Sequence, residues 1–186
     1  MPDDFHSYQG KLLISNSSIV TDAFHKSVIF MIEHDKQGAF GLVVNKKTER
    51  KLFELVPALP FEYSYDVPIF WGGPVDHTFV SILHDHSSAI DPGIEVIPGV
   101  YISRSFELLN HIIKIRGCHF IILQGYSGWG SGQLESEFER KSWASHEVKP
   151  EFIFSDTPET IWKESLKSKG GIYKYFAEHT KDPMLN

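Results

Sequence analysis

Two apolar runs face each other across a short turn-forming stretch. SVIFMIEH (Ser27–His34) and AFGLVVN (Ala39–Asn45) stand either side of Asp35, Lys36, Gln37 and Gly38. Both runs are strand-like, and Gly38 can supply the positive φ that a tight hairpin turn needs. The stretch therefore predicts a β-hairpin, and the same pattern recurs along the chain. KLLIS (Lys11–Ser15) reads as a first strand. VPIFWGG and TFVSILH are strand-like runs joined by GGPVDH, and IEVIPGVYIS predicts a hairpin turning at Pro98 and Gly99.

Helical spacing is rarer. KLFELV predicts a short helix. Phe106, Leu109 and Ile113, with Leu108, Ile112 and Ile115 beside them, mark a helix between Ser105 and Arg116, with Gly117 as its stop. CHFIILQ is then a buried strand ending at Gln124. A helix is expected from near Gly132 to about Trp143, and a short strand at EFIF (Glu151–Phe154). Thr157 with Pro158 opens a further helix that ends at Gly170 and Gly171. The last twenty residues add another helical turn or two. Strands outnumber helices, so the fold class is α+β: a single domain over residues 1–186 with a mixed, largely antiparallel sheet and a few helices.

With 186 residues, 41% of them hydrophobic, the chain can bury a full core. Its formal net charge of -6 argues against non-specific nucleic-acid binding, which needs a basic face to release phosphate counterions. No helix-turn-helix is visible, so direct DNA binding is not expected. Cys118, the single cysteine, lies in the apolar run CHFIIL and reads as a core residue. No basic-then-apolar leader opens the chain and no apolar run is long enough to span a bilayer, so the expectation is a cytoplasmic protein with no membrane partner.

The segment most suggestive of function is GYSGWGSGQLESE, from Gly125 to Glu137. A glycine-rich turn feeding a helix N-terminus offers backbone N–H groups and a partial positive charge to an anion. Glu135 and Glu137 in the first helical turn oppose that, because they already satisfy the dipole. No nucleotide or nucleophile motif fits. A Walker A loop needs Lys where Ser131 stands, and a dinucleotide fingerprint needs Gly where Gln133 stands. The nucleophile elbow fails around Ser127, where Trp129 occupies its last glycine position, and around Ser131. Two readings stand: a tight structural corner, or a ligand site. The corner reading predicts that Gly130→Ala costs stability through a clash at positive φ.

The segment resembles the signature of the YqgE/AlgH family of small bacterial proteins. GKLLIS, FHKSVIFMIEHDKQGAFGLVVNK, PIFWGGPV, Trp143, Phe152–Phe154, Pro158 and Trp162 fall in the order that family shows, from about Gly10 to Ile172. The resemblance implies a compact α+β domain without an established biochemical activity. The AlgH name implies a proposed regulatory role in transcription of exopolysaccharide genes, here acting indirectly. Many relatives carry cysteine where Ile32 stands, so the resemblance carries no thiol chemistry over to this chain. Many also have proline at the position of Lys47 and asparagine at that of Lys141.

Because the family blocks fall at strand ends and turns, one rim is expected to gather the ligand-binding residues: His34, Asn45, Gly72, Gly73, Gly125, Gly128, Gly130, Ser131, Gly132 and Gln133. The leading expectation is a non-catalytic regulatory or binding protein that takes a small anionic ligand or a protein partner there, without a cofactor. The alternative is a hydrolase-like enzyme with His34 as general base and Ser127 or Ser131 as nucleophile. His84, Asp85 and His86 could begin a zinc site but lack further fixed ligands, and they read as solvated strand-end residues. Trp129 and Trp143 read as packing residues, the charged face of the helix after Gln133 as solvated, and KKTERK (Lys46–Lys51) as a surface loop.

Overall fold

The computed structural model describes residues 5–16, 20 and 23–179. Among them the chain runs β1 (Lys11–Ser15), β2 (Val28–Asp35), β3 (Gly38–Val43), β4 (Lys47–Lys51), α1 (Leu52–Leu55), α2 (Phe61–Ser64), β5 (Pro68–Trp71) and β6 (Val75–His84). It continues with β7 (Ile94–Ile97), β8 (Val100–Ser103), α3 (Phe106–Ile112), β9 (Phe120–Gly130), α4 (Gln133–Glu139), β10 (Trp143–Glu147), α5 (Pro150–Ile153), α6 (Pro158–Lys169) and α7 (Gly171–His179). The sheet follows the order β10-β1-β2-β3-β9-β6-β8-β7, with β5 on β9 and β4 on β5. Every pairing is antiparallel except β5 with β9.

Both predicted hairpins form. Asp35 pairs with Gly38, and the Asp35 carboxylate accepts the Gln37 and Gly38 N–H groups at 2.8 and 3.2 Å. Ile97 pairs with Val100 across Pro98 and Gly99.

The sheet is curled, and three apolar clusters sit on its faces. The largest lies within the curl: Phe30 and Leu42 from β2 and β3, Leu83 and Leu123 from β6 and β9, closed by Ile161 and Trp162 from α6. The Trp162 indole N–H donates to the Ser15 carbonyl at 2.9 Å and so ties α6 to β1. A second cluster packs Leu108, Leu109 and Ile112 of α3 on Ile82 and Ile122. The third packs Leu134 of α4 and Trp129 on Ile29, Met31 and Val43. Side chains alternate between faces along a strand, so β2 and β3 are buried on both sides.

Four expectations about elements need correction. The strand ending at Gln124 instead continues to Gly130, because β3 pairs with its far half from Ser127 to Gly130. The helix after Gln133 stops at Glu139; Lys141 then adopts φ 61, and Trp143 opens strand β10. EFIF is not a strand: Pro150 starts a helical turn there, its fixed φ suiting the first helical position. KKTERK is a charged edge strand, β4, rather than a loop. Lys and Arg on an exposed edge discourage pairing with another chain.

Candidate functional site

Nine of the ten residues expected at one rim fall into three groups, and Gly128 lies on β9 between the first two, opposite Phe40. Gly72, Gly73 and Gly125 form the first. At Gly125 (φ 75) strand β9 changes partners, leaving β5 at Gln124 and taking up β3 at Ser127. The GGPV turn is pressed into that bend. Gly72 donates its N–H to the Gln124 carbonyl at 2.8 Å and accepts from Val43 N–H at 2.9 Å. A Cβ on Gly72 would stand 2.2 Å from the Gly125 oxygen, and one on Gly73 2.2 Å from the Tyr126 oxygen. The two glycine turns therefore converge, and each fills the space that the other leaves. This part of the signature is a backbone corner with no room for a ligand.

His34, Gly130, Ser131, Gly132 and Gln133 form the second group, at the tip of the β2–β3 hairpin. Gly132 (φ 72) precedes α4, and Gln133 Oε1 accepts the Gly130 N–H at 3.1 Å. Gly130 itself has no positive φ, and a Cβ there would meet only Gln133 Oε1, at 4.0 Å. The clash expected for Gly130→Ala is therefore absent, and the constrained glycine is Gly125.

Asn45 stands alone. Its Oδ1 accepts Val28 N–H at 2.8 Å and its Nδ2 donates to the Lys26 carbonyl at 2.9 Å. It thus lies beside the first residue of β2, whereas His34 lies near the last. Six residues of strand separate the two positions, roughly 20 Å at about 3.3 Å per residue. The single rim is corrected accordingly.

The hydrolase geometry is not assembled either. His34 is buried between the Phe5 and Tyr8 rings, at 4.9 and 5.5 Å. Its Nδ1 accepts the Tyr8 N–H at 2.9 Å, so the proton lies on Nε2, which donates to Glu135 at 3.1 Å. Neither nitrogen is left to take a proton from a serine. Ser127 is buried and donates to the Gly72 carbonyl at 3.2 Å; Ser131 donates to the Lys36 carbonyl at 2.6 Å. Burial and the nearby Glu135 carboxylate push the Tyr8 phenol above its ordinary pKa.

Gly128 and Gln133 reach a cleft of about 590 Å³ on the outer side of β9, shared with Phe24, Pro74, Trp129 and Arg140. Glu137 fixes its wall. One carboxylate oxygen accepts both the Trp129 and Trp143 indole N–H groups, at 2.9 and 2.7 Å, and the other accepts Gln133 Nε2 at 3.1 Å. Both indoles are buried, as their reading as packing residues expects. The acidic face of α4 is not simply solvated, however. Glu135 holds His34 and Glu137 holds two tryptophans; three glutamates lie between the two tryptophans in sequence, and only the fold shows which one binds them. Arg140 donates Nε to the Ser136 carbonyl at 3.3 Å and pairs with no carboxylate among the described residues.

Of the histidine pair at the end of β6, His84 is removed from solvent while His86 is half-buried. His84 is fully buried, donating Nε2–H to the Pro92 carbonyl at 2.9 Å and accepting His86 N–H at 3.2 Å; burial lowers its pKa. Asp85 instead grips His119, through the ring at 2.7 Å and the backbone N–H at 2.9 Å. No group of three or more His, Cys, Asp or Glu side chains suited to a metal ion occurs among the described residues. Cys118 is half-buried against the α3 cluster, less enclosed than a core residue, and burial raises its thiol pKa. No helix among the described residues is long and apolar enough to cross a membrane.

Comparison with known proteins matches this architecture along nearly its whole length. A family model described as DUF179, AlgH-like, matches residues 12–174. A UPF0301 protein of Chlorobaculum tepidum is 36% identical over 180 residues, covering 95% of each chain. A UPF0301 protein of Cytophaga hutchinsonii is 34% identical over 185 residues, covering 96% of this chain and 98% of its own. The solution structure of the AlgH protein from Pseudomonas aeruginosa superposes with a TM-score of 0.77 at 26% identity, over 98% of this chain and 100% of that one. A crystal structure from Corynebacterium diphtheriae shares the fold at a TM-score of 0.76 and 18% identity, over 94% of each chain. The chain belongs to the AlgH-like family.

Proposed function

We propose that the protein is a non-catalytic binding protein that holds a small anion with a flat apolar body in the cleft beside Trp129. The observation that carries this reading is the pairing of aromatic and apolar walls with one guanidinium, Arg140, that no carboxylate neutralises. The glycine signature contributes Gly128, Trp129 and Gln133 to that cleft. Pockets of this size with few convergent polar groups are the usual form of small-molecule sites. Glu137 lines the same cleft, with its carboxylate oxygens engaged by the Trp129, Trp143 and Gln133 donors, so the anion is placed on the Arg140 side. A regulatory role would follow from the bound state and needs no contact with DNA.

Thermal unfolding with benzoate, indole-3-acetate and inorganic phosphate, in wild type and Arg140→Ala, tests the reading. A ligand at about 100 times its Kd adds roughly 2.7 kcal/mol. For a domain of this size that is about 5–10 °C in Tm. The shift should appear with the aromatic anions and vanish in Arg140→Ala, whose side chain is exposed. An undiminished shift in the variant, or turnover of p-nitrophenyl acetate by the wild type, would overturn it.

A further inference from the structure

A second cleft lies on the opposite face of the β3–β9 pair, the face that carries Phe40 rather than Trp129. Its volume is about 630 Å³ and its walls are Ile32, Phe40, Phe79, Ile94 and Ile102. Two irregularities open the sheet there. Strand β2 bulges between Met31 and Glu33, and the β6–β9 register shifts between Val75 and Val80. Both loosen the ladder at the same end, as bulges do next to sites. Phe40 and Phe79 pack edge to face at 5.7 Å, and Ile94 remains 66% exposed, so a large apolar side chain faces water at the mouth.

Three charged side chains also line this cleft: Glu33, Asp91 and Arg104. Among the described residues none of them forms an ion pair. The Arg104 guanidinium lies over the Phe79 ring, 4.4 Å from its centroid. Asp91 holds φ 52, a backbone conformation costly for a residue other than glycine, and its carbonyl accepts from Ser103 at 3.3 Å. Both signs of charge thus stand around one apolar cavity without neutralising each other.

We infer that this cleft binds a small zwitterion with an apolar side chain, that is, an apolar α-amino acid or its dipeptide. Arg104 takes the carboxylate, for which its planar donors are suited. Glu33 and Asp91 take the ammonium group, and Phe40, Phe79 and Ile94 enclose the side chain. A plain carboxylate would satisfy Arg104 but leave both acids facing an apolar body; an amine alone would leave Arg104 with only the charge of Asp76 nearby, which forms no ion pair with it. The site is independent of the cleft at Arg140, so either can fail while the other stands.

Calorimetric titration of the full chain with L-phenylalanine tests this, beside N-acetyl-L-phenylalanine, which lacks the ammonium, and phenethylamine, which lacks the carboxylate. L-phenylalanine is expected to bind, with each comparator weaker by about tenfold or more. Arg104→Gln should weaken L-phenylalanine by a similar factor, and Glu33→Gln with Asp91→Asn should remove the preference over N-acetyl-L-phenylalanine. All three positions are exposed, so the fold is expected to survive, and circular dichroism checks this. Methyl NMR signals of Ile94 and Ile102 should move and that of Ile172 should not. No binding at millimolar concentration would overturn the inference. So would equal binding of the acetylated compound to wild type, or L-phenylalanine affinity unchanged in Arg104→Gln.

Discussion

At the scale of single residues, buried hydrogen bonds decide what each polar side chain is for. Glu137 is the clearest case, because one carboxylate holds two buried indoles and the Gln133 amide. Glu137→Ala should lower unfolding free energy by about 2–4 kcal/mol, since two indole N–H groups lose their acceptor. Urea denaturation measures it, and Glu137→Gln should cost less because an acceptor remains. Lys141 points the other way. It sits at φ 61, where asparagine and glycine are more at ease. Lys141→Asn is expected to raise stability by up to about 1 kcal/mol in the same assay.

His84 makes stability depend on pH. Burial disfavours its imidazolium, so its folded pKa lies below the unfolded value of about 6.5. As pH falls through about 6.5 the unfolded chain takes up the proton first, and stability falls from there. The unfolding midpoint should therefore drop between about pH 7.5 and 5.5, and less steeply in His84→Gln.

Among the elements, the bend of β9 carries the most consequence. Gly125 has φ 75 and a Cβ there would stand 2.4 Å from the Gly73 oxygen, whereas Gly130 has neither constraint. Gly125→Ala should lose more than about 2 kcal/mol and Gly130→Ala should change stability by less than about 1 kcal/mol. Equal losses in the two variants would remove the distinction between corner and cleft. The hairpins were readable in the sequence because turn chemistry and apolar runs are local signals. The course of β9 was not. Its glycines read as a turn, and only its pairing with β3, far away in the chain, keeps Ser127 to Gly130 extended. The same reason left β10 without an assigned element after an expected helix and hid β4 within an expected loop: partners distant in sequence satisfy their backbones. Of the candidate site, the segment 125–133 was legible, and Gln133 and Gly128 do reach a cleft. Asn45 was misplaced by reading the hairpin's open end as its tip. Arg140 and Phe24 went unseen as site residues, and Glu137 was read only as opposing an anion, because their roles depend on a fold in which β9, α4 and the segment before β2 meet.

At the scale of the whole molecule, the curled sheet separates two surfaces. Its inner face is filled by α5, α6 and α7, and its outer face is covered by α4 on one flank and α3 on the other. The signature contributes to both jobs: its start locks the sheet into its bend, and its end walls a cleft on the outer face. The most direct test of that division reads the indole N–H resonances of Trp129, Trp143 and Trp162 while indole-3-acetate is titrated into the labelled protein. Trp129 and Trp143 should shift together, with Trp162, bonded to Ser15 inside the curl, unmoved. Saturable binding that leaves both outer indoles in place, or that moves Trp162 instead, would contradict the account.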